Sequence, residues 1–295
     1  MQWRRLKDAF ATNSFRIILS LTNSIIFIIA IGLFIKGKPI LFQKSISELL
    51  VSSIWQPLKG HFGFLPFIIG TIAVTAFAMT LAVPICLLSA IYLAEYAPRR
   101  LRELLRPVID VLAGIPSVIY GLWGVIVIVP LVRWLGQVTG HITSGYNLLS
   151  GAIVLAIMVF PFIISVATEV FLTVPIEAHE ASLSLGATRW ETVKHVVLKA
   201  ARRGVMAAIV LGFARAIGET MAVLMVVGNV AKVPKSLFDP AYPLPALIAN
   251  NYGEMMSIPL YDAALMLAAL ILLVIVTIFN LGAHFTLLRM ERKSQ

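Results

Sequence analysis

Two side chains of opposite charge, Arg215 and Glu219, interrupt an apolar segment that follows Arg203. If this segment is one continuous helix, their i and i+4 spacing places them on one face, about 6 Å apart along the helix axis. A charge at the centre of a bilayer costs on the order of 2.5–3.5 kcal/mol, so such residues are retained for a reason. One hypothesis is a mutually neutralised pair that stabilises helix packing. The other is that the two charges mark a substrate path.

No arrangement of residues in the sequence is typical of an enzyme. A Gly-x4-Gly-Lys-Ser/Thr phosphate loop is absent, so we expect this chain not to bind and hydrolyse ATP in the P-loop manner. The single cysteine, Cys86, lies in an apolar run and has no partner for an intrachain disulfide. The histidines are scattered, with no i and i+4 pair and no cysteine beside them, so we predict no metal site. They are His61, His141, His179, His195 and His284.

The composition of the chain is that of an integral membrane protein. Of its 295 residues, 59% are hydrophobic and 13% are charged, and the mean hydropathy is +0.93. Soluble domains contain about 45–50% apolar and about 25% charged residues, so too little polar surface is left here to cover a water-exposed domain. Disordered chains, secreted disulfide scaffolds and soluble nucleic-acid binders are therefore excluded, although the net charge is +10.

Long stretches free of charged residues predict an all-α protein with six transmembrane helices. A helix needs about 20 apolar residues to span a bilayer, because lipid offers the backbone no hydrogen-bond partners. The predicted spans are about 16–36, 66–93, 107–132, 148–172, 203–228 and 261–287. We divide the chain into 1–65, with the N-terminal segment, first helix and outer loop, and 66–290, a five-helix core with a loop at 173–203. The prolines and glycines between Gly114 and Gly124 indicate either ordinary kinks or a broken helix that lines a pathway.

The distribution of Lys and Arg predicts the orientation in the membrane. Sixteen of these side chains fall in the two termini, the second loop and the fourth loop, whereas seven fall on the opposite side. Cytoplasmic loops carry the excess of positive charge. Both termini and the 173–203 loop are therefore predicted to be cytoplasmic, and the basic charge needs no nucleic acid to explain it.

The 173–203 loop contains the signals of two helices with a sharp joint between them. Pro175 suits the first turn of a helix, and Ala178, Ala181 and Leu185 form an apolar side opposite Glu177, Glu180 and Ser184. Gly186 can adopt the left-handed conformation that ends a helix. Thr188-Arg-Trp190-Glu191 then fits a capping box, with Thr188 as N-cap. A short amphipathic helix held across the cytoplasmic face is suited to docking another protein.

The same loop resembles the EAA loop of importer-type ABC permeases, whose pattern is E-A-A-x3-G-x9-I-x-L-P. The matching residues are Glu180-Ala181-Ser182, Gly186 and Val196-Val-Leu198. Ser182 replaces the second alanine and Lys199 replaces the proline, and neither change touches the glutamate or the glycine. This resemblance implies the MetI-like permease fold. It also implies that Glu177, Glu180, Ala181, Gly186, Thr188 and Trp190 contact an ATPase subunit.

Longer segments over residues 50–290 resemble the PstC family of phosphate ABC importer permeases. They are Trp55-Gln-Pro57…Gly60-His-Phe-Gly-Phe-Leu-Pro66, Tyr92-Leu-Ala-Glu-Tyr-Ala-Pro-Arg-Arg100, Ala113-Gly-Ile-Pro-Ser-Val-Ile-Tyr-Gly121 and Arg215-Ala-Ile-Gly-Glu-Thr-Met-Ala-Val223. The PstA family shares Arg-Ala-x-Gly-Glu-Thr but typically continues with Ala-Pro, whereas this chain has Met221-Ala222. The PstC family is therefore favoured over the PstA family.

The resemblance implies a subunit of the bacterial inner membrane that forms half of a phosphate pathway and is not itself an enzyme. The expected partners are a PstA-like permease, two PstB-like ATPase subunits that bind the ATP, a PstS-like periplasmic phosphate-binding protein and membrane lipid. The chain needs no cofactor of its own. Arg215 would contact the anion through its planar charged fork, and Glu219 would compete for Arg215 and keep binding weak enough for release.

Three alternatives remain open from the residues alone. A sulfate or molybdate importer is the nearest, because these anions are also tetrahedral. An ion-coupled carrier or channel would explain charges within the membrane, but it would not need a capped loop helix. An intramembrane enzyme is the least favoured, because no nucleophile and base converge in the sequence.

Overall fold

The structure, a computed structural model, describes residues 2–253, 258 and 260–292. The protein is mostly helical. In the described residues, five helical stretches are long and apolar enough to cross a membrane. These stretches are Ala11–Gln43, Leu65–Tyr96, Ser117–Val138, Leu148–Leu172 and Tyr261–Arg289.

The elements follow one another along the chain with short connections. The long helices are α1 (Gln2–Gln43), α3 (Leu65–Ile91), α4 (Arg99–Gly114), α7 (Leu148–Leu172), α10 (Leu198–Ile217) and α13 (Tyr261–Arg292). The short helices are α2 (Ile46–Val51), α5 (Ser117–Trp123), α6 (Val129–Val138), α8 (Ile176–Ser184), α9 (Arg189–Thr192), α11 (Met221–Leu224) and α12 (Leu244–Asn251). Turns of π-helix at Tyr92–Tyr96, Gly124–Ile128 and Val193–Val197 extend α3, join α5 to α6 and join α9 to α10. Strands β1 (Trp55–Gln56) and β2 (His61–Phe62) form an antiparallel hairpin around a 3-10 turn at Pro57–Lys59.

Helix α7 is the centre of the main core and packs against α3, α4 and α10. Small residues let these helices approach closely, as is usual between helices in membranes. Ala78 and Ala82 of α3 and Ala152 of α7 are fully buried or nearly so in this cluster. At the contact with α10, a Cβ on Gly212 would come within 2.6 Å of the Ile163 side chain. The core therefore combines close backbone approach with large buried side chains such as Leu155, Met158 and Ile163.

A second cluster joins the hairpin to the ends of α3 and α13. The Trp55 ring lies 4.9 Å from the Phe67 ring and 6.1 Å from the Tyr261 ring, centroid to centroid. Edge-to-face contacts of this kind stabilise aromatic clusters beyond the area that they bury. Helix α1 packs against α13, yet its most apolar stretch of 18 residues is 0% buried within the chain. An apolar helix with no buried face is typical of a span that faces lipid.

The third predicted span, 107–132, is wrong in its position. Helix α4 ends at Gly114, Ile115 adopts an extended conformation (φ −64°, ψ 129°), and α5 begins after Pro116. The cause is local, because the ring of a proline disfavours helical geometry at the residue before it. The apolar span is instead Ser117–Val138, and the chain between Gly114 and Gly124 contains a broken helix.

The fifth predicted span, 203–228, is not one continuous helix. Helix α10 ends at Ile217, Gly218 is its C-cap, and α11 starts only at Met221. Within α10, Lys199, Arg202, Arg203 and Arg215 also lower the hydropathy. This segment is for that reason not among the five long apolar helices of the described chain.

Candidate functional site

The joint in the 173–203 loop has the geometry that its sequence predicts. Helix α8 ends at Ser184, and Gly186 takes the left-handed conformation with φ +86°. Its N–H donates to the Leu183 carbonyl at 2.9 Å, and the N–H of Ala187 donates to Ser182 at 3.3 Å. No atom lies within 4 Å of a Cβ built on Gly186, so the backbone angle and not space demands glycine.

The capping box after this joint is also confirmed. The N–H of Glu191 donates to Oγ1 of Thr188 at 3.3 Å, while the Thr188 N–H and hydroxyl both donate to Oε2 of Glu191 at 2.8 Å. These hydrogen bonds to the carboxylate lower the pKa of Glu191. Because α9 continues through the Val193–Val197 turn into α10, the box fixes the direction in which α10 leaves the loop.

The predicted apolar side of α8 is wrong in two of its three residues. Ala181 is exposed and Leu185 is 89% exposed. The side that packs on the rest of the chain contains Ala178, His179 and Ser182. Polar contacts decide this orientation, since the Ser182 and Thr192 hydroxyls are 3.0 Å apart and His179 reaches Glu95.

The contact between His179 and Glu95 is a site that sequence reasoning missed. Nε2 of His179 lies 3.1 and 3.2 Å from the two carboxylate oxygens of Glu95, and both side chains are mostly buried. Burial alone would lower the pKa of His179. The Pro175 carbonyl, bonded at 3.1 Å to Nδ1, and the Glu95 carboxylate outweigh burial and raise the pKa above its usual value. The only signal in the sequence was one histidine inside the loop helix, 84 residues from its partner.

The 173–203 loop exposes apolar and acidic side chains. All six residues predicted to contact an ATPase are exposed: Glu177, Glu180, Ala181, Gly186, Thr188 and Trp190. Large apolar side chains of the loop are also exposed, at Ile176 (65%), Leu185 (89%) and Trp190 (51%). Exposed apolar side chains in such a loop are suited to contact with another protein.

Arg215 and Glu219 do not share a helix face, which corrects the prediction of an i and i+4 pair. Helix α10 ends between them, and no ion pair joins them among the described residues. Glu219 instead accepts a hydrogen bond of 3.1 Å from the Ala222 N–H at the start of α11. Gly218 has the lowest helix propensity after proline, so the chain turns there and the carboxylate becomes a cap.

Arg215 lies beside the broken helix. Its Nη2 donates to the Ala113 carbonyl at 3.3 Å, and its guanidinium is 5.4 Å from the centre of the Phe162 ring. The Tyr120 hydroxyl donates to the Leu112 carbonyl at 2.8 Å. The Leu112 carbonyl also accepts the Ile115 N–H at 3.3 Å, so Tyr120 adds a second donor there, while Arg215 supplies a donor to the Ala113 carbonyl at the end of α4. A cation at this end also interacts favourably with the helix dipole.

The site therefore has two parts, an exposed loop surface and a half-buried arginine at a helix break. Among the described residues, no three His, Cys, Asp or Glu side chains converge in a way that would hold a metal ion. The arrangement supplies a docking surface and a fixed positive charge. We find in it no paired nucleophile and base.

The pH dependence of the contact between His179 and Glu95 follows from the raised pKa of His179. Protonated histidine binds the carboxylate best, so the contact contributes fully below about pH 6.5, the usual histidine value, and is lost as pH rises through the raised pKa. We expect the difference in melting temperature between the native chain and His179→Gln to be larger at pH 6 than at pH 8.5. Glu95→Gln should reduce this pH dependence, and the Pro175 carbonyl should retain part of it. A difference that is unchanged between the two pH values would contradict a charged contact.

Comparisons with known proteins agree with this architecture. Residues 82–291 match the family of binding-protein-dependent transport system inner membrane components. The phosphate transport system permease protein PstC of Xylella fastidiosa (strain 9a5c) is 37% identical over 98% of this chain and 94% of its own length. The probable ABC transporter permease protein YqgH of Bacillus subtilis (strain 168) is 41% identical over 77% of this chain and 73% of its own.

Two solved structures show the same fold at low sequence identity. An inward-facing structure of the MetNI methionine ABC transporter has a TM-score of 0.57 at 20% identity, over 75% of this chain and 93% of that one. A bacterial ABC transporter that imports the acidic polysaccharide alginate has a TM-score of 0.55 at 14% identity, over 77% and 79%. The chain therefore belongs to the family of binding-protein-dependent transport system inner membrane components, and its relatives within that family include PstC permease proteins.

Proposed function

We propose that this chain forms half of the membrane pathway of an ATP-driven importer of inorganic phosphate. The observation that carries the proposal is the exposed 173–203 loop, whose glycine joint and capping box hold α8 across one end of a helical membrane core. The relatives named as phosphate permeases supply the identity of the anion. The residues alone do not separate phosphate from sulfate or molybdate.

The proposed assembly contains four kinds of partner. A second, PstA-like permease completes the pathway, and two PstB-like ATPase subunits bind ATP and dock on the paired loops. A PstS-like binding protein delivers phosphate from the periplasm, and membrane lipid surrounds the spans. The exposed apolar stretch of α1 supports the contact with lipid. The exposed apolar side chains of Ile176, Leu185 and Trp190 support the docking of an ATPase.

We propose that the chain crosses the bacterial inner membrane six times, with both termini in the cytoplasm. The excess of Lys and Arg in the termini and the 173–203 loop supports this orientation. The fifth crossing would be made by α10 and α11 together. A broken crossing is tolerated where the interrupted backbone is buried in protein or lines a water-filled cavity. Ala216, Ile217 and Ala222 on either side of the break are buried, whereas Gly218 itself is exposed, as in a segment that lines a pathway.

Arg215 is the residue that we assign to the passing anion. Phosphate carries about −1.5 charge at neutral pH, and a guanidinium can bind two of its oxygens at once. The Ala113 carbonyl uses one end of the Arg215 fork, and Glu219 is turned to α11. To compete with phosphate for Arg215, the Glu219 carboxylate would have to break its hydrogen bond to the Ala222 N–H. Such competition would therefore involve a conformational change during the transport cycle.

Transport measurements test the assignment of the anion and of the energy source. Cells that lack this chain should lose uptake of radiolabelled phosphate and retain uptake of sulfate and molybdate. Uptake in cells that have it should require ATP and should survive collapse of the proton gradient. Loss of sulfate uptake instead would favour the alternative oxyanion, and sensitivity to the gradient would favour an ion-coupled carrier.

Substitution of the joint glycine tests the role of the loop in coupling. Gly186→Val places a β-branched residue at φ +86°, which costs about 1–2 kcal/mol and should tilt α8. We expect phosphate uptake to fall at least tenfold at equal membrane abundance. Gly140→Val is the matched control, because Gly140 also has φ +77° and no atom within 4 Å of its Cβ position. Normal uptake by Gly186→Val, or an equal loss in both variants, would exclude a coupling role.

A set of variants tests the anion contact at Arg215. Arg215→Gln and the double variant Arg215→Gln, Glu219→Gln should both lose phosphate uptake, because neither retains the cation. Arg215→Lys should restore uptake partly, since it keeps the charge but not the planar fork. Glu219→Gln alone should be milder or should slow the release of phosphate.

Tyr120→Phe is the control for helix capping, because it removes a neutral hydrogen bond to the same end of α4. We expect uptake to persist in Tyr120→Phe at matched membrane abundance. Near-normal transport by the double variant would overturn the anion contact. An equal loss of phosphate uptake in Tyr120→Phe and Arg215→Gln would indicate that Arg215 only stabilises the end of α4 and does not contact the anion.

A further inference from the structure

A polar cavity of about 250 Å³ lies between α4, α7 and the end of α3, away from Arg215. Three arginines of α4 line it, at Arg99, Arg102 and Arg106. Their i, i+3 and i+7 spacing places them on one face of the helix. Ser165 and Thr168 of α7 line the other wall, and Ser165 adds a neutral hydroxyl. The cavity therefore combines charged and neutral hydrogen-bond donors.

Two carboxylates also line this cavity and neutralise part of its charge. Nε of Arg99 is 2.7 Å from Glu103, and Nη2 of Arg106 is 2.8 Å from Glu169. All four side chains of these pairs are more than half exposed, and exposed ion pairs contribute little to stability. Three arginines against two glutamates leave one surplus positive charge. Arg102 is held in place by its Nη1, which donates to the Ala94 carbonyl at 3.4 Å.

Thr168 is the unusual residue of this cavity. It is 9% exposed, and its Oγ1 is buried with no hydrogen-bond partner among the described residues. Threonines of α3 behave differently, because Thr71 and Thr75 donate to the carbonyls four residues earlier at 2.7 and 2.8 Å. A buried hydroxyl without a partner costs about 1–3 kcal/mol. This oxygen is closed to solvent, so the arginines and not the Thr168 hydroxyl supply the donors that a ligand in the cavity can reach.

The other face of α4 indicates where the cavity lies relative to a bilayer. Leu104, Val108 and Val111 are 67%, 49% and 69% exposed, and no residue of α4 is buried. A helix with arginines on one face and exposed apolar side chains on the other is typical of the membrane interface. The arginine face is thus expected at the depth of phospholipid headgroups, where basic pockets between helices bind anionic lipids.

We propose that this cavity binds the phosphate of an anionic ligand through Arg102 and Arg106. The phosphodiester of an anionic phospholipid and free inorganic phosphate share this chemistry. The apolar face of α4 and the single surplus charge favour the phospholipid, because a phosphodiester carries one negative charge. The site is separate from Arg215 and does not rest on the proposed transport function.

Binding to the full chain in a neutral detergent, measured by native mass spectrometry, tests the proposal. One arm compares phosphatidylglycerol with phosphatidylcholine of the same acyl chains, and the other titrates inorganic phosphate. We expect phosphatidylglycerol to bind at least tenfold more tightly than phosphatidylcholine. Tight binding of inorganic phosphate at the same residues would support the site and identify the free anion as its ligand.

Variants locate the binding in the cavity. Arg102→Gln should weaken binding about tenfold, as loss of hydrogen bonds to a charged group predicts. Arg100→Gln is the matched control, since Arg100 is exposed on the same helix and does not line the cavity.

Two results would overturn the proposal. One is equal binding of the two lipids together with no binding of inorganic phosphate. The other is an equal loss of binding in Arg100→Gln and Arg102→Gln, which would reduce the effect to the general charge of α4.

Discussion

Backbone groups that a helix break releases inside an apolar environment must find new hydrogen-bond partners, and the interior of this protein is organised around two such breaks. At the first break, α4 stops before Ile115 and Pro116, and Tyr120 and Arg215 donate to the carbonyls of Leu112 and Ala113. At the second, α10 stops before Gly218, and Glu219 accepts from the N–H of Ala222. Lipid offers no such partners, so each break needs polar side chains from within the protein. These side chains include the two charged residues of the candidate pathway.

Helix α4 connects the arginine to the loop that faces the proposed ATPase. Its 16 residues correspond to about 24 Å of helix. At its start, Arg102 donates to the Ala94 carbonyl, and the adjacent Glu95 binds His179 of α8. At its end, the Ala113 carbonyl accepts a hydrogen bond from Arg215 of α10. Helix α10 is in turn connected, through the Val193–Val197 turn, to α9 and its capping box. The 173–203 loop is therefore linked to the start of α4 through Glu95 and Ala94, and to the end of α4 through α10 and Arg215.

The features that could be predicted from the sequence are those that depend on neighbouring residues. Uninterrupted apolar runs located four of the five long apolar helices of the described chain, and the third was misplaced because a run of apolar residues does not reveal the break before Pro116. The left-handed Gly186 and the box between Thr188 and Glu191 were predicted correctly, because each depends on a few adjacent residues. The orientation of α8 was not predictable in this way. It depends on Glu95, which is distant in sequence, so Leu185 is exposed where the helical period placed it on an apolar side.

The same distinction explains the candidate pathway. The spacing of Arg215 and Glu219 implies an ion pair only if the helix continues through Gly218, and a glycine costs about 1 kcal/mol relative to alanine in that position. Since the chain turns at Gly218, the Glu219 carboxylate caps α11 and does not pair with Arg215. The Arg215 guanidinium instead contacts the face of the Phe162 ring and the C-terminal end of α4, which carries a partial negative charge. Roughly −0.5 elementary charge from the helix end does not neutralise a guanidinium. The break therefore leaves Arg215 with positive charge that an oxyanion can compensate, whereas an unbroken helix would have paired it with Glu219.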